Sequence, residues 1–172
     1  MLAKLAGYAG KAVMDSLPDV VTKVDSLLTQ NNRILVEIEN QSDFVLTLHD
    51  EYHSGGRYES APDGKVYPNT ASVYSSEIID SAFFNCARGC LIYAIARGDK
   101  YLAVYYCCSS AEGYKINAAI LPALLPHSAD IWHGILEKSY TKSTGKKQNC
   151  GLNVHYSAGE QATFTLTHTG PG

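Results

Sequence analysis

Apolar residues fall at Leu2, Leu5, Ala6, Ala9, Val13, Leu17, Val20, Val24 and Leu27, in steps of three and four that draw one stripe along a helix. Lys4, Lys11, Asp15 and Lys23 lie mostly off that stripe. Ser16-Leu17-Pro18-Asp19 has the form of a capping box, a serine N-cap with an acid three residues on. Pro18 is tolerated in a first turn, where its missing N–H would have no partner. The spacing predicts a helix from Leu17 to Thr29, preceded by a looser glycine-containing stretch over 1–15 and ended at Asn31-Asn32. Read from periodicity alone, the stripe favours a helix that simply docks on the rest of the molecule.

Beyond residue 30 the period shortens to two. Arg33 to Asn40 alternates, with Ile34, Val36 and Ile38 on one face, and Asn40-Gln41-Ser42-Asp43 reads as a turn. Phe44 to Tyr52 follows as a strand, then a long loop marked by Gly55-Gly56 and Pro62-Asp63-Gly64. Further strands fit 72–78, 90–96, 101–107, 114–120, 152–156 and 163–167. Residues 128–140 have helix character, with Ser128 or Asp130 as a cap. Many short strands with regular turn signals predict a mainly β chain, a single β-sandwich domain flanked by two helices. The amphipathic segment would take residues 1–30, the sandwich 33–170, and the second helix the region near 128–138. No internal repeat, linker or low-complexity tract is visible.

Composition narrows the function classes. A chain of 172 residues fits one domain and is long enough to bury a core. The net charge of -3 argues against a nucleic-acid partner, because a phosphate backbone calls for a basic surface. No apolar run of about 18 residues occurs, so no conventional transmembrane helix is predicted. Gly7, Gly10, Lys11 and Asp15 interrupt any secretory h-region; either a leader has been removed or the protein is made without one. The 12 tyrosines, against one tryptophan and four phenylalanines, suit half-buried strands and also wet, amphipathic binding surfaces. Five cysteines cannot all pair with one another, unlike a dense extracellular disulfide scaffold.

Few residues carry obvious chemistry. His49 and His53 share the spacing of a zinc-protease motif, but Asp50 follows the first histidine and the context is a strand. Residues four apart on a strand sit roughly 13 Å apart, too far to share an ion, so no metal is expected. No nucleophile elbow, CxxC or phosphate loop is present, and neither an enzyme nor a cofactor is expected. Arg97-Gly98-Asp99 resembles an integrin-type tripeptide, but Gly-Asp between two apolar runs is better read as a two-residue hairpin turn. On that reading Cys90 faces Cys107, giving a disulfide if the protein is oxidised, or two adjacent buried thiols inside a cell. Asn40-Gln41-Ser42 is also a glycosylation sequon, a common and weak signal.

Four stretches together resemble the actinoporin family of pore-forming proteins. They are Arg33-Ile-Leu-Val-Glu-Ile-Glu-Asn-Gln-Ser42, Tyr52-His-Ser-Gly55, Val66-Tyr-Pro-Asn-Thr70 and Ser157-Ala-Gly-Glu160, in the family's order over residues 16–169. The resemblance implies a sandwich flanked by two helices that binds membrane lipid, oligomerises there and inserts its N-terminal helix. Leu2, Leu5, Ala9, Val13, Leu17, Val20, Val24 and Leu27 would be the inserting positions. A helix over residues 2–28 would be roughly 40 Å long, enough to cross a ~30 Å hydrocarbon core with tilt. Its Lys and Asp residues would need a water-filled lumen, hence a ring of copies. The implied setting is secretion and a target-cell membrane, with a leaderless cytoplasmic form open and a partner subunit conceivable.

By the same resemblance, Ser54, Tyr114, Trp132 and Tyr140 would contact the lipid headgroup. Trp132 reads either as an interfacial anchor or as a core residue between Ile131 and Ile135, and Tyr114 either as a cage residue or as the start of a strand. The sequence also departs from the family. Pro18 would kink a continuous pore helix at a cost of about 3 kcal/mol. The loop Cys107-Cys-Ser-Ser-Ala-Glu-Gly-Tyr114 is short and lacks tryptophan, and the clustered tyrosines that cage choline by cation–π contact are gone. The lipid therefore stays open between sphingomyelin, another phosphocholine lipid and a different one, and a lectin-like module without pore activity is the alternative.

Overall fold

The computed structural model describes residues 33–78, 86–96, 98–109, 111–122, 128–131, 134 and 136–169. The predicted N-terminal helix, with all eight inserting positions, and Trp132 lie outside the described residues. The strands are β1 (Arg33–Gln41), β2 (Leu46–Gly55), β3 (Arg57–Ser60), β4 (Lys65–Val66), β5 (Thr70–Glu77), β6 (Cys86–Ile95), β7 (Lys100–Ser109), β8 (Gly113–Pro122), β9 (Thr144–Asn149), β10 (Leu152–Ser157) and β11 (Gln161–His168). They form two sheets, one of six strands in the order β3-β5-β1-β11-β10-β9 and one of five in the order β4-β2-β6-β7-β8. Of the second helix predicted near 128–138, the described part is α1 (Ser128–Ile131) and a 3-10 turn (Glu137–Ser139).

The period-two pattern decides which sheet faces meet. Ile34, Val36 and Ile38 of β1 point inward with Ala162, Phe164 and Leu166 of β11 and Leu152, Val154 and Tyr156 of β10. From the five-stranded sheet Leu91, Tyr93, Leu102, Val104, Tyr106, Ile116 and Ile120 close the core against them. β1 lies parallel to β11 and antiparallel to β5, so strands from both ends of the chain knit the six-stranded sheet together. Such non-local pairing makes this sheet depend on nearly the whole described chain.

The other face of the five-stranded sheet is apolar as well. Cys90, Ile92, Ala103, Tyr105 and Cys107 form a second buried layer, roofed by Ile131 of α1 and Leu136. Without that roof the sheet would present an apolar patch to water.

The hairpin between β6 and β7 corrects one expectation. Ile95 pairs with Lys100, so the loop holds four residues rather than two, with Ala96 (φ 57°) and Gly98 (φ 89°) in left-handed conformations. Cys90 therefore faces Tyr105, and Cys107 faces Arg88. Cys90 and Cys107 share a face but sit diagonally, typically 7–8 Å between Cα atoms and outside ordinary disulfide range. Both are buried free thiols in the structure. The long loop expected after Gly55 contains β3 and β4, and β9 is a further strand that the hydrophobic pattern does not announce.

Candidate functional site

At the end of the five-stranded sheet where β2 stops, one row of residues crosses the outer face: Gly55, Arg88, Cys107 and Lys115, each paired with the next. Ser54 sits at one end of this row, in the bulge between His53 and Gly55, with its hydroxyl buried and no hydrogen-bond partner among the described residues. Lys115 sits at the other end. Only 7% of it is exposed, yet its ammonium is satisfied: it donates to the Glu112 carboxylate and lies 4.4 Å from the centre of the Tyr140 ring.

The sequence builds this corner locally. Between β7 and β8 the Ser109 hydroxyl accepts the N–H groups of Ala111 and Glu112 at 3.3 and 3.4 Å, and Gly113 takes φ 74°. Glu112 is thereby held three residues before Lys115, which points back to it. On the other side the chain leaves the 3-10 turn at Tyr140 in an extended conformation. Thr141 then bridges Ile116 with two backbone hydrogen bonds of 2.8 and 3.0 Å, and Tyr140 is laid over Lys115.

Asn117 anchors the arrangement. Its amide nitrogen donates to the Leu136 carbonyl at 3.1 Å and the Ser139 hydroxyl at 2.9 Å. Its amide oxygen accepts the Tyr156 hydroxyl from the opposite sheet at 3.2 Å and the Ala118 N–H at 2.9 Å. One buried side chain thus ties the roof, β8 and β10 together.

Cations gather at this corner. Lys115, Lys142 and Arg88 all act on the exposed Glu112 carboxylate, whose pKa the Lys115 hydrogen bond holds below the usual carboxylate value. Burial opposes the charge on Lys115, but Glu112 more than compensates and raises it. Lys138, Lys142, Lys146 and Lys147 are exposed along the neighbouring stretch, in a protein whose net charge is -3.

Of the expected headgroup residues, the structure brings Ser54 and Tyr140 to this end of the outer face. Tyr114 packs toward the inter-sheet core, on the opposite face from Lys115. Tyr140 and Tyr67 are the exposed large aromatics among the described residues, and Tyr67 stands near the start of β2, at the other end of the sandwich. Arg88, Lys115, Asn117 and Glu112 escape a motif search. A signal was available all the same: in Tyr114-Lys-Ile-Asn-Ala-Ala-Ile-Leu121 the alternation puts Lys115 and Asn117 on the face of Ala119 and Leu121. Polar groups on an apolar face need partners.

The two histidines part company. His49 is exposed and rests on Tyr101 at 5.0 Å, whereas His53 turns inward, stacks on Tyr58 at 4.5 Å and meets the Ser76 hydroxyl at 2.8 Å. Among the described residues no group of three His, Cys, Asp or Glu side chains could hold a metal.

A second feature lies on the outer face of the six-stranded sheet. A groove of about 500 Å³ is lined by Thr144, Lys146, His155, Ser157, Thr163 and Thr165. Beside it the buried Glu37 carboxylate accepts from Gln161 at 2.7 Å and Thr163 at 3.3 Å, and Glu39 accepts from Thr165 at 2.7 Å. Burial pushes Glu37 above the usual carboxylate range.

The described architecture has a solved counterpart. The crystal structure of Nakanori, described as a lipid binding protein, superposes with a TM-score of 0.67 at 12% identity, covering 95% of this chain and 84% of that one. At that identity the likeness is one of fold. No family model matches the chain, and no curated protein matches it.

Proposed function

We infer that this protein binds lipid membranes through the corner built by Ser54, Arg88, Lys115 and Tyr140. The observation that carries the reading is Tyr140: a large exposed aromatic, clamped over a buried lysine and flanked by exposed lysines. An amphipathic ring at a fixed basic rim suits the headgroup level of a bilayer. The fold shared with a lipid binding protein supports the same reading.

Pore formation extends it. The stripe from Leu2 to Leu27 detaches and inserts, and copies of the chain assemble so that Lys4, Lys11, Asp15 and Lys23 face a common lumen. This part of the reading rests on the stripe and the actinoporin resemblance. A lectin-like module is the second reading, favoured by the groove of threonine, serine and histidine on the six-stranded sheet.

Dye-loaded vesicles separate the readings. The full chain is expected to bind and release dye, and a chain lacking residues 1–15 to bind without release. Binding with no release from either form would remove the pore. Vesicles left unbound while immobilised glycans capture the protein would replace lipid by sugar.

A further inference from the structure

The chemistry of the groove on the six-stranded sheet names a ligand class, an inference that rests on the lectin-like reading above. Strand register lays the side chains out in rows across four strands. Glu37, Thr163, Ser157 and Thr144 form one row. Glu39, Thr165, His155 and Lys146 form the next. Neighbours in a row stand about 4.8 Å apart, and the rows lie about 7 Å apart along the strands. Between these positions Val154, Tyr156, Phe164 and Leu166 point into the inter-sheet core, so both rows share the outer face.

The threonine hydroxyls of this groove are already oriented. Thr163 donates its proton to Glu37 at 3.3 Å, and Thr165 donates to Glu39 at 2.7 Å. A hydroxyl has one proton to give, so the lone pairs that remain on both threonine oxygens can only accept. Across the groove the exposed Lys146 ammonium can only donate. Between them stands the exposed His155, which offers one ring nitrogen of each kind while neutral. The Ser157 hydroxyl, half-buried beside it, can turn either way.

A ligand that fills such a site must give protons to the threonines and accept them from the lysine. An ionised carboxylate only accepts, and so matches half of the site. Sugar hydroxyls do both. The groove volume of about 500 Å³ lies within the ~300–1,000 Å³ usual for small-ligand sites. We propose that the groove binds a neutral sugar. Its hydroxyls donate to the Thr163 and Thr165 Oγ atoms and accept from Lys146 Nζ, and His155 and Ser157 complete the network. β9 begins at Thr144, four residues after Tyr140, so at most about 14 Å of chain separates the groove from the lipid corner. The sugar can therefore be a glycolipid headgroup or a glycan carried on something other than lipid.

The test is capture of the full chain on an array of immobilised neutral, sialylated and sulfated oligosaccharides, with co-flotation on phosphatidylcholine vesicles with and without a neutral glycosphingolipid. Capture by neutral glycans is expected, unaffected by added inorganic phosphate. Thr165→Val and Ser157→Ala each remove one hydroxyl and nearly keep the side chain's shape, and Lys146→Met removes the donor. Each should weaken capture about tenfold. Thr47→Val, the same change on the other sheet, should not. Tighter binding to the glycosphingolipid vesicles, lost in Thr165→Val, would make the source a lipid. Array capture without that vesicle difference would make it a glycan carried elsewhere; either result supports the sugar site.

Capture that survives all three groove variants would overturn the groove assignment and leave a lectin-like module with its site elsewhere. Capture by sialylated or sulfated glycans alone would overturn the neutral class. No capture on the array, with equal binding to both vesicles, would remove this inference and the lectin-like reading together and leave the lipid corner standing.

Discussion

His53 shows how one residue can set a pH limit on the fold. Half-buried against Tyr58 and Ser76, it is held below the ordinary histidine value of 6.5 because its partial burial disfavours the charged ring. The unfolded chain takes up a proton as pH falls past 6.5, whereas the folded chain does so only at lower pH. The stability His53 contributes is therefore full above 6.5 and is lost as pH falls through that value toward the folded one. Denaturation midpoints measured from pH 7.5 to 5.5 should drop, and His53→Gln should flatten the drop. An identical pH slope in the variant would place the titration elsewhere.

Asn117 matters for a different reason. Replacing it by alanine strands the Leu136 carbonyl and the Tyr156 hydroxyl, at a cost of about 1–3 kcal/mol. The expected signature is a lower denaturation midpoint together with faster amide exchange around residues 136–141. Unchanged exchange there would show that the roof is held by Ile131 and Leu136 packing alone. The sequence shows His53 as half of a metal-like spacing and Asn117 as a polar group on an apolar face, but not what either does, because Ser76, Leu136 and Tyr156 lie 19 to 39 residues away from them.

At the scale of elements, the strands with alternating apolar residues are the legible ones. β1 reads directly from Ile34, Val36 and Ile38, and β11 from Ala162, Phe164 and Leu166. β9 does not, because Thr144-Gly-Lys-Lys-Gln-Asn149 is an edge strand without apolar side chains, held by pairing to β10. Its backbone hydrogen bonds are satisfied by a neighbour that periodicity cannot reveal. The β6–β7 register is hidden for a related reason. Alanine at the left-handed position 96 gives no turn signal, so the loop reads two residues too short and the cysteines appear opposed.

β9 also carries a constraint that only the structure exposes. A Cβ on Gly145 would come within 2.3 Å of the Tyr156 ring, the ring whose hydroxyl reaches Asn117. Gly145→Ala must push that ring aside, costing about 1–3 kcal/mol by overpacking. Loss of the Tyr156–Asn117 bond should loosen the same roof as Asn117→Ala does, and the double variant should be less destabilised than the sum of the singles. Strict additivity would show that the two act on separate parts of the molecule.

For the whole molecule, a sandwich with an apolar outer layer needs a roof, and here the roof also delivers Tyr140 to the basic end. Fold class was readable from strand spacing, and Tyr140 became a candidate through the actinoporin resemblance. The charge of the site was not, because Arg88 and Lys115 are 27 residues apart and meet only through strand pairing with Cys107. This end is what the molecule would turn toward a membrane, leaving Tyr67 at the far end.

The most direct measurement is co-flotation of the full chain with lipid vesicles, comparing it with Tyr140→Ser. The account predicts that the full chain rises with the vesicles and that Tyr140→Ser, still folded by its denaturation midpoint, rises far less. Equal flotation of both, or a full chain that stays in the soluble fraction at every lipid composition, would contradict it.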